Sequence, residues 1–580
     1  MKQRAAPLLL LALASFFYLW RIGTAPVGLA PDEVLIANDA YALATTGRNL
    51  EGVLLPLYFY VPLSASWFMP AIYYLTALSL QVAPLAEWSI RAPTALVGVA
   101  NIALTYLAGR RLLGDRRWAL VGAITIACAP AHFMLSRYAV DYIYPIPFAL
   151  TWLLCLLIAC EPGRSRGWFV AAGLSLGAGW YSYISAILLM PLLAALTVVF
   201  VVMKRRTWRD AAAAVAGFGL PLVAFFVWWG AHPSAFHDTA VRYGLAKPGQ
   251  SATISAVSQV LDPGVVTGRY LQFFTPEFLF RTGDTYLPFS TRNDGVFAMA
   301  AALLIAFALY DIARTRTPEK LLVLMAVLAG PLAAALLPDE GAIRRATMMI
   351  PFGALLAAIG ARRLATIDRL PSLPLVATVA GALALMVGAA YAGWIAVQQQ
   401  RVTQSELQLI AAGAAMLGLA VMARQMRHGE AILVAAIVAT ALQFAVLQHH
   451  YHGTYIIRSA PWLNGNVRGA LATLMQEAER RPAATVYFAT MRNGLGFWDL
   501  KNRWTPAYWR FYVTKHHRED LLARTVFLTQ ADSIVSLPAG SLVFSNTESP
   551  EVKAALRDSA TTLAEIPELD RAAFYTVLLR

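Results

Sequence analysis

Charge is what this sequence has least of. Charged residues make up 14% of its 580, against 58% hydrophobic. A soluble chain carries about a quarter charged residues, so this composition excludes an ordinary soluble protein and implies a polytopic membrane protein. Cysteine is nearly absent. Cys128, Cys155 and Cys160 all lie in apolar runs, which excludes a disulfide framework or a CxxC metal site and leaves them as small core residues. No GxxxxGK[ST] or Ser-His-Asp spacing occurs, so a phosphate-cradling loop is excluded. The formal net charge is +14. The Lys and Arg residues sit in short clusters between apolar runs, as orientation signals do, and do not form a nucleic-acid footprint.

A membrane span needs roughly 20 apolar residues. Runs bounded by charge or turn residues give thirteen: 5–22, 92–109, 118–135, 142–160, 168–184, 186–203, 210–230, 293–311, 321–337, 346–361, 373–397, 407–423 and 430–448. The first follows Lys2 and Arg4 and has no convincing small-residue cleavage site, so it reads as a retained helix. The apolar stretch 67–86 is ambiguous. If it lies along the membrane surface, the basic clusters Arg110–Arg117, Arg164–Arg166, Lys204–Arg209, Arg314–Lys320, Arg362–Arg369 and Arg424–Arg427 all share the cytoplasmic side with the N-terminus. If it spans, all six reverse, against the positive-inside rule. The aromatics of 53–74 also suit an interfacial helix. The expected architecture is an α-helical polytopic membrane domain of about 13 transmembrane helices (residues 1–448), with outer-face loops 23–91, 231–292 and 338–345. A soluble, extracytoplasmic α/β domain follows at 449–580. Its expected strands are 485–490, 526–529, 541–546, 562–566 and 574–579, and its expected helices 467–480, 505–513 and 550–558.

The acids are few, and two stand together at Pro31-Asp32-Glu33 in the first outer loop. They read either as solvated loop charge or as a reactive pair. Pro31 and the following Val34–Thr45 run place Asp32 near a helix N-terminus, where its charge is favoured. The apolar, aromatic surroundings would desolvate a carboxylate and raise its pKa towards that of a working base. A second element is Ser136-Arg137-Tyr138-Ala139-Val140-Asp141, either an interfacial ion pair or an Arg137 that binds an anionic headgroup. A third is Pro338-Asp339-Glu340-Gly341-Ala342-Ile343-Arg344-Arg345. Two arginines on an outer loop run against the positive-inside pattern, and Arg forks bind phosphate oxygens in pairs; alternatively Asp339 and Glu340 balance them. Tyr58, Tyr60, Tyr138, Asp141 and His232 are further substrate-site candidates. In the second loop no spacing distinguishes His232, His237, Asp238, Lys247, Glu277 and Asp284. His449-His450-x-His452 looks like a metal cluster, but the pattern shows no preorganised geometry and reads as interfacial histidines.

These motifs resemble the polyprenyl-phosphate-dependent membrane glycosyltransferases of the GT-C class, in the protein O-mannosyltransferase and lipid A aminoarabinose transferase group. The resemblance covers about residues 1–200. It rests on Pro31-Asp32-Glu33 after the first span, Gly47, the aromatic-Pro segment 57–70, Arg91-Ala92-Pro93-Thr94-Ala95-Leu96 closing with Arg110-Arg111-Leu112-Leu113-Gly114, and Ser136–Asp141. It implies a GT-C fold and transfer of one sugar from a polyprenyl-phosphate donor to an acceptor lipid, glycan or protein, with inversion, at the outer face of the cell membrane. Asp32 would be the base, with Glu33 a helper. Arg137, Arg344 and Arg345 would bind the donor phosphate. Partners would be the donor, the acceptor and membrane lipids, with no nucleic acid. The aminoarabinose transferase carries a Glu-Lys-Pro whose Glu holds a metal; here Leu57-Tyr58-Phe59-Tyr60-Val61-Pro62 has neither Glu nor Lys. No cofactor is called for by the residues, and a divalent metal is left open. A transporter or lipid-linked sugar flippase is the rival class. Transporters gather polar residues at the membrane midplane, whereas the polar motifs here gather at the outer ends of the spans.

Overall fold

The computed structural model describes residues 2–62, 66–245, 262–337, 341–370, 372–397, 404–463, 466–489, 497–528, 536–546, 560–569 and 574–580. Every one of the thirteen apolar runs contains a helix. The chain opens with α1 (Lys2–Leu19), α2 (Pro31–Thr46), the strands β1 (Phe59–Val61) and β2 (Ser66–Phe68), and α3 (Pro70–Val82). Next come α4 (Glu87–Leu113), α5 (Arg116–Ala127), α6 (Pro130–Leu135), α7 (Pro145–Ala159) and α8 (Gly167–Gly179). Then follow α9 (Ala186–Met203), α10 (Trp208–Ala231) and the short α11 (Ala235–Arg242). The run 118–135 is broken between α5 and α6, where Pro130 has no N–H to continue the ladder. Among the described residues seven helices are long and apolar enough to cross a membrane: α4, α9, α10, Pro318–Ala335, Leu373–Gly393, Gln404–Met422 and His428–Tyr451. The chain is a multi-pass membrane protein.

The ambiguous stretch 67–86 holds α3. Its 13 residues reach about 20 Å at 1.5 Å per residue, short of the ~30 Å hydrocarbon layer. The interfacial helix expected within 53–74 is replaced by a hairpin, with Phe59 paired to Phe68, Tyr60 to Trp67 and Val61 to Ser66. Aromatic cross-strand pairs stabilise that alternative, and Pro56 and Pro62 break a helical ladder there.

The six basic clusters meet at one end of the bundle. Glu161 pairs with Arg111 and Arg164, tying the α4–α5 and α7–α8 turns together. Arg206 donates to the Cys160 carbonyl at 2.7 Å, and Lys204 pairs with Glu319 at 2.7 Å. Arg362 donates to the Leu113 carbonyl at 3.3 Å, Arg314 and Arg363 both lie over the Tyr310 ring, and Arg427 pairs with Asp368 at 3.4 Å. Because α1 and α4 run end to end through the bundle, Asp32 and Glu87 lie at the opposite end.

The C-terminal strands β3 (Val486–Phe488), β4 (Thr525–Phe527), β5 (Leu542–Asn546), β6 (Thr561–Pro567) and β7 (Phe574–Leu579) fall close to the expected positions. They form one mixed sheet in the order β4-β3-β5-β7-β6, with β3 parallel to β4 and β5 and the other pairs antiparallel. Helices Val467–Arg480 and Phe497–Lys515 accompany the sheet, and the expected helix at 550–558 lies outside the described residues. The Phe497–Lys515 helix packs directly on α2. This contact brings the C-terminal region to the Asp32 end of the bundle.

Candidate active site

Pro31 opens α2 at its first position, and the Glu33 carboxylate reaches back to the Ala30 N–H at 2.8 Å, half of a capping box. That turn fixes two adjacent acids in opposite settings. Glu33 is sealed. It forms a bidentate fork with Arg91, Nε to Oε1 at 2.7 Å and Nη2 to Oε2 at 2.8 Å, and both side chains are 0% exposed. Its Oε1 also accepts the Ala139 N–H at 2.8 Å. Arg91 spends its remaining hydrogens on the carbonyls of Ile22, Pro26 and Gly28. One buried pair thus fastens α4 to the 22–28 loop, to the start of α2 and to residue 139.

Arg137 is equally buried, although its Nε has no hydrogen-bond partner among the described residues. Its Nη groups donate to the carbonyls of Phe17, Tyr18, Trp20 and Ala25 at 2.8–2.9 Å, and it is 0% exposed. It closes the C-terminal end of α1, whose last carbonyls have no intrahelical partner. With all four Nη hydrogens so engaged, this geometry differs from the open anion site expected of Arg137.

Asp32 and Asp141 keep part of their surface and are otherwise densely surrounded. Burial pushes the Asp32 carboxyl up; Glu33 adds to that, and the charges of Arg242 and Arg344 oppose it. Burial also pushes Asp141 well above the usual carboxylate range, and the charge of Asp32 adds to it. Arg344 approaches from the 343–345 turn. Its Nη1 lies 3.3 Å and 3.4 Å from the Asp284 oxygens, and its guanidinium sits over the Tyr286 and Phe289 rings. Asp284, in the second loop, is raised by burial to about 6 against the pull of Arg344. Asp339 and Glu340, weighed above as balancing charges, lie outside the described residues, as does Lys247.

Arg345 lies over the Tyr243 ring and lines a cavity of about 190 Å³. Otherwise that cavity is walled mostly by aromatic and aliphatic side chains, Tyr58, Trp67, Tyr183, Phe225 and Trp228 among them. Tyr58 packs on Trp228 with centroids 4.3 Å apart. His232 stacks on Trp228 and meets Trp67 edge-on, and Tyr60 sits beside Trp67 across the hairpin. Of these three candidates Tyr58 lines the cavity, and Tyr60 and His232 pack against its wall residues Trp67 and Trp228. Tyr138 is buried under the second loop and donates to the Pro288 carbonyl at 2.8 Å. Sequence reasoning passed over Arg242, at the end of α11, and Tyr73, whose buried hydroxyl has no hydrogen-bond partner among the described residues. No spacing flags either, because each joins the site from a distant element. Among the described residues no three His, Cys, Asp or Glu side chains converge as metal ligands, and 57–62 adds no carboxylate.

An apolar cavity with Arg345 in its lining is suited to a lipid carrying an anionic head. Residues 64–229 match the family model described as dolichyl-phosphate-mannose-protein mannosyltransferase. That match, on this fold, makes the chain similar to the polyprenyl-phosphate-dependent membrane glycosyltransferases of the GT-C class. The fold is that of ArnT from Cupriavidus metallidurans. The crystal structure of ArnT bound to undecaprenyl phosphate aligns with a TM-score of 0.62 at 16% identity, over 98% of this chain and 97% of that one. Its apo state gives 0.61 at 16% identity, over 100% and 98%. The archaeal oligosaccharyltransferase AglB from Archaeoglobus fulgidus, in complex with an inhibitory peptide and a dolichol-phosphate, gives 0.47 at 10% identity, over 94% and 70%. No curated protein matches the sequence.

Proposed function

We propose that the chain transfers a single sugar from a polyprenyl-phosphate donor to an acceptor hydroxyl at the extracytoplasmic face, with inversion at the anomeric carbon. One observation carries this reading: Asp32, desolvated and opposed by Arg242 and Arg344, lies near an apolar cavity bordered by Arg345. The lipid tail fits the aromatic wall and the phosphate fits the arginine end. Asp32 takes the proton of the acceptor hydroxyl as its oxygen bonds to the anomeric carbon. The bond from that carbon to the phosphate oxygen breaks, and the polyprenyl phosphate leaves with an added negative charge. Arg344 and Arg345 stabilise that charge, an interaction strongest in the transition state. Raised basicity suits Asp32 to the task. Glu33 acts as a positioning residue through Arg91. The basic belt faces the cytoplasm with the N-terminus, and the 449–580 region forms an extracytoplasmic α/β domain.

The test is complementation of a deletion strain, read by mass spectrometry of cell-envelope glycans and proteins. The wild-type gene restores the missing sugar and Asp32→Asn does not, although the variant protein accumulates in the membrane normally. An Asp32→Asn protein that restores the sugar ends the assignment.

A further inference from the structure

The Phe497–Lys515 helix grips the Asp32 turn from behind. The Tyr508 hydroxyl donates to the Leu29 carbonyl at 2.6 Å, three residues before Asp32, and both residues are buried. Two turns further along α2, Asn38 donates through Nδ2 to the Ala507 carbonyl at 2.9 Å. The far end of the same helix is tied to the start of α4, where Lys515 pairs with Glu87, which Arg468 also approaches at 3.7 Å. The 29–38 segment is therefore held from two sides. The Arg91–Glu33 fork fixes it to the bundle, and Tyr508 with Ala507 fixes it to the C-terminal region. Leu29 precedes the helix, so its carbonyl is outside the α2 ladder and depends on an outside donor such as Tyr508.

We propose that the C-terminal region is a working part of the candidate active site, and that Tyr508 is a positioning residue holding the Asp32 turn closed to water. The consequence for turnover rests on Asp32 being the base; the positioning itself does not. The groups acting on the Asp32 charge come from six elements. They are Glu33 on α2, Tyr73 on α3, Asp141 and Tyr142 before α7, Arg242 and Tyr243 at the end of α11, Tyr286 in the second loop, and Arg344. Tyr508 carries no charge at neutral pH. Its loss therefore acts by loosening the turn and admitting water.

The test uses the full chain in lipid nanodiscs and needs no substrate. Infrared difference spectra against Asp32→Asn isolate the Asp32 carboxyl band, and its pH titration gives a midpoint. Tyr508→Phe keeps the buried ring and removes only the hydroxyl. Its Asp32 midpoint is expected to fall towards the ordinary carboxylate value by about one pH unit, as desolvation is relieved. Thr525→Val is the control. It removes the Thr525 hydroxyl that accepts from Trp509 Nε1 at 2.9 Å, which loosens the same region without touching α2, and its midpoint is expected to stay at the wild-type value. Lys515→Met, which cuts the far anchor, gives the same downward shift should the Phe variant not accumulate. An unmoved midpoint in both Tyr508→Phe and Lys515→Met overturns the proposal, as does an equal shift in Thr525→Val. A shifted midpoint beside an active Asp32→Asn enzyme keeps the positioning role and ends the base assignment. An unmoved midpoint beside an inactive Asp32→Asn enzyme does the reverse.

Discussion

Two arginine–carboxylate groups lie close together at one end of this molecule and differ in what they leave free. In the first, Arg91 and Glu33 are both 0% exposed and joined at 2.7 Å and 2.8 Å, with every remaining hydrogen of Arg91 on a carbonyl. In the second, Arg344 is 15% exposed and stands 3.3 Å from Asp284, while Asp32 and Asp141 keep part of their surface. The same residue types make a closed fastening in one place and leave partly exposed carboxylates beside cations in the other. A buried carboxylate with four matched donors has nothing left for a substrate. One that is desolvated, facing cations without closing on them, retains its capacity to take a proton.

The largest expected contrast is between neighbours in sequence. Asp32→Asn should lower turnover by roughly 100- to 10,000-fold, the span of a general base, with little change in melting temperature. Glu33→Gln should do the opposite. It leaves Arg91 as a buried charge without its counter-ion, at a cost of about 3 kcal/mol, and is read as lost expression or a lower melting temperature, with residual turnover in whatever protein folds. Equal thermal losses in the two variants would erase the distinction. A second pair sharpens it among the arginines. Arg344→Ala should raise the apparent donor KM by about tenfold, near the worth of one charge-assisted hydrogen bond. Arg137→Ala should reduce folded protein and leave the donor KM of the remainder unchanged.

How much of this was legible beforehand follows from how far apart the partners are. The apolar runs, the basic clusters and the five C-terminal strands are local patterns, and each expected strand has a counterpart in the sheet. Pro31 and the helical run beside Asp32 are local too, and α2 opens there. Glu33 could not be separated from Asp32, since its partners Arg91 and Ala139 are 58 and 106 residues away. Arg137 read as a phosphate binder because the carbonyls of Phe17 to Ala25 that occupy it belong to another helix end. Arg344 found Asp284, 60 residues upstream, and Arg242 carried no spacing at all.

Electrostatics at the open site gives a smaller effect with a defined sign. Arg242 is the strongest charge opposing the rise of the Asp32 carboxyl. Its loss raises that carboxyl further, so a larger fraction is protonated and inactive at a given pH. Arg242→Gln should move the acid limb of the turnover profile up by about half a pH unit, and a limb moving down would contradict the arrangement.

The smallest expected effect concerns a third acid on the same helix. Asp39 lies two turns beyond Asp32, is 9% exposed, and accepts the Leu50 N–H at 2.9 Å. Burial raises its carboxyl to about 6 from 3.8, with that N–H and Arg510 opposing. Between about pH 4 and pH 6 the folded chain therefore binds more protons at Asp39 than the unfolded chain does. The Asp39 contribution to stability must fall as pH rises through that window, because the slope follows the protons bound by the unfolded state minus those bound by the folded one. Asn keeps an acceptor for the Leu50 N–H and carries no charge to desolvate. Asp39→Asn should match the wild type near pH 4 and exceed it at pH 7 by about 2 kcal/mol, taken from a shift of about two units discounted for residual exposure. Thermal melts of the two proteins across this range measure the gap. A constant gap would show Asp39 to be as well matched as Glu33, and the contrast between closed and open carboxylates would then not extend along the helix.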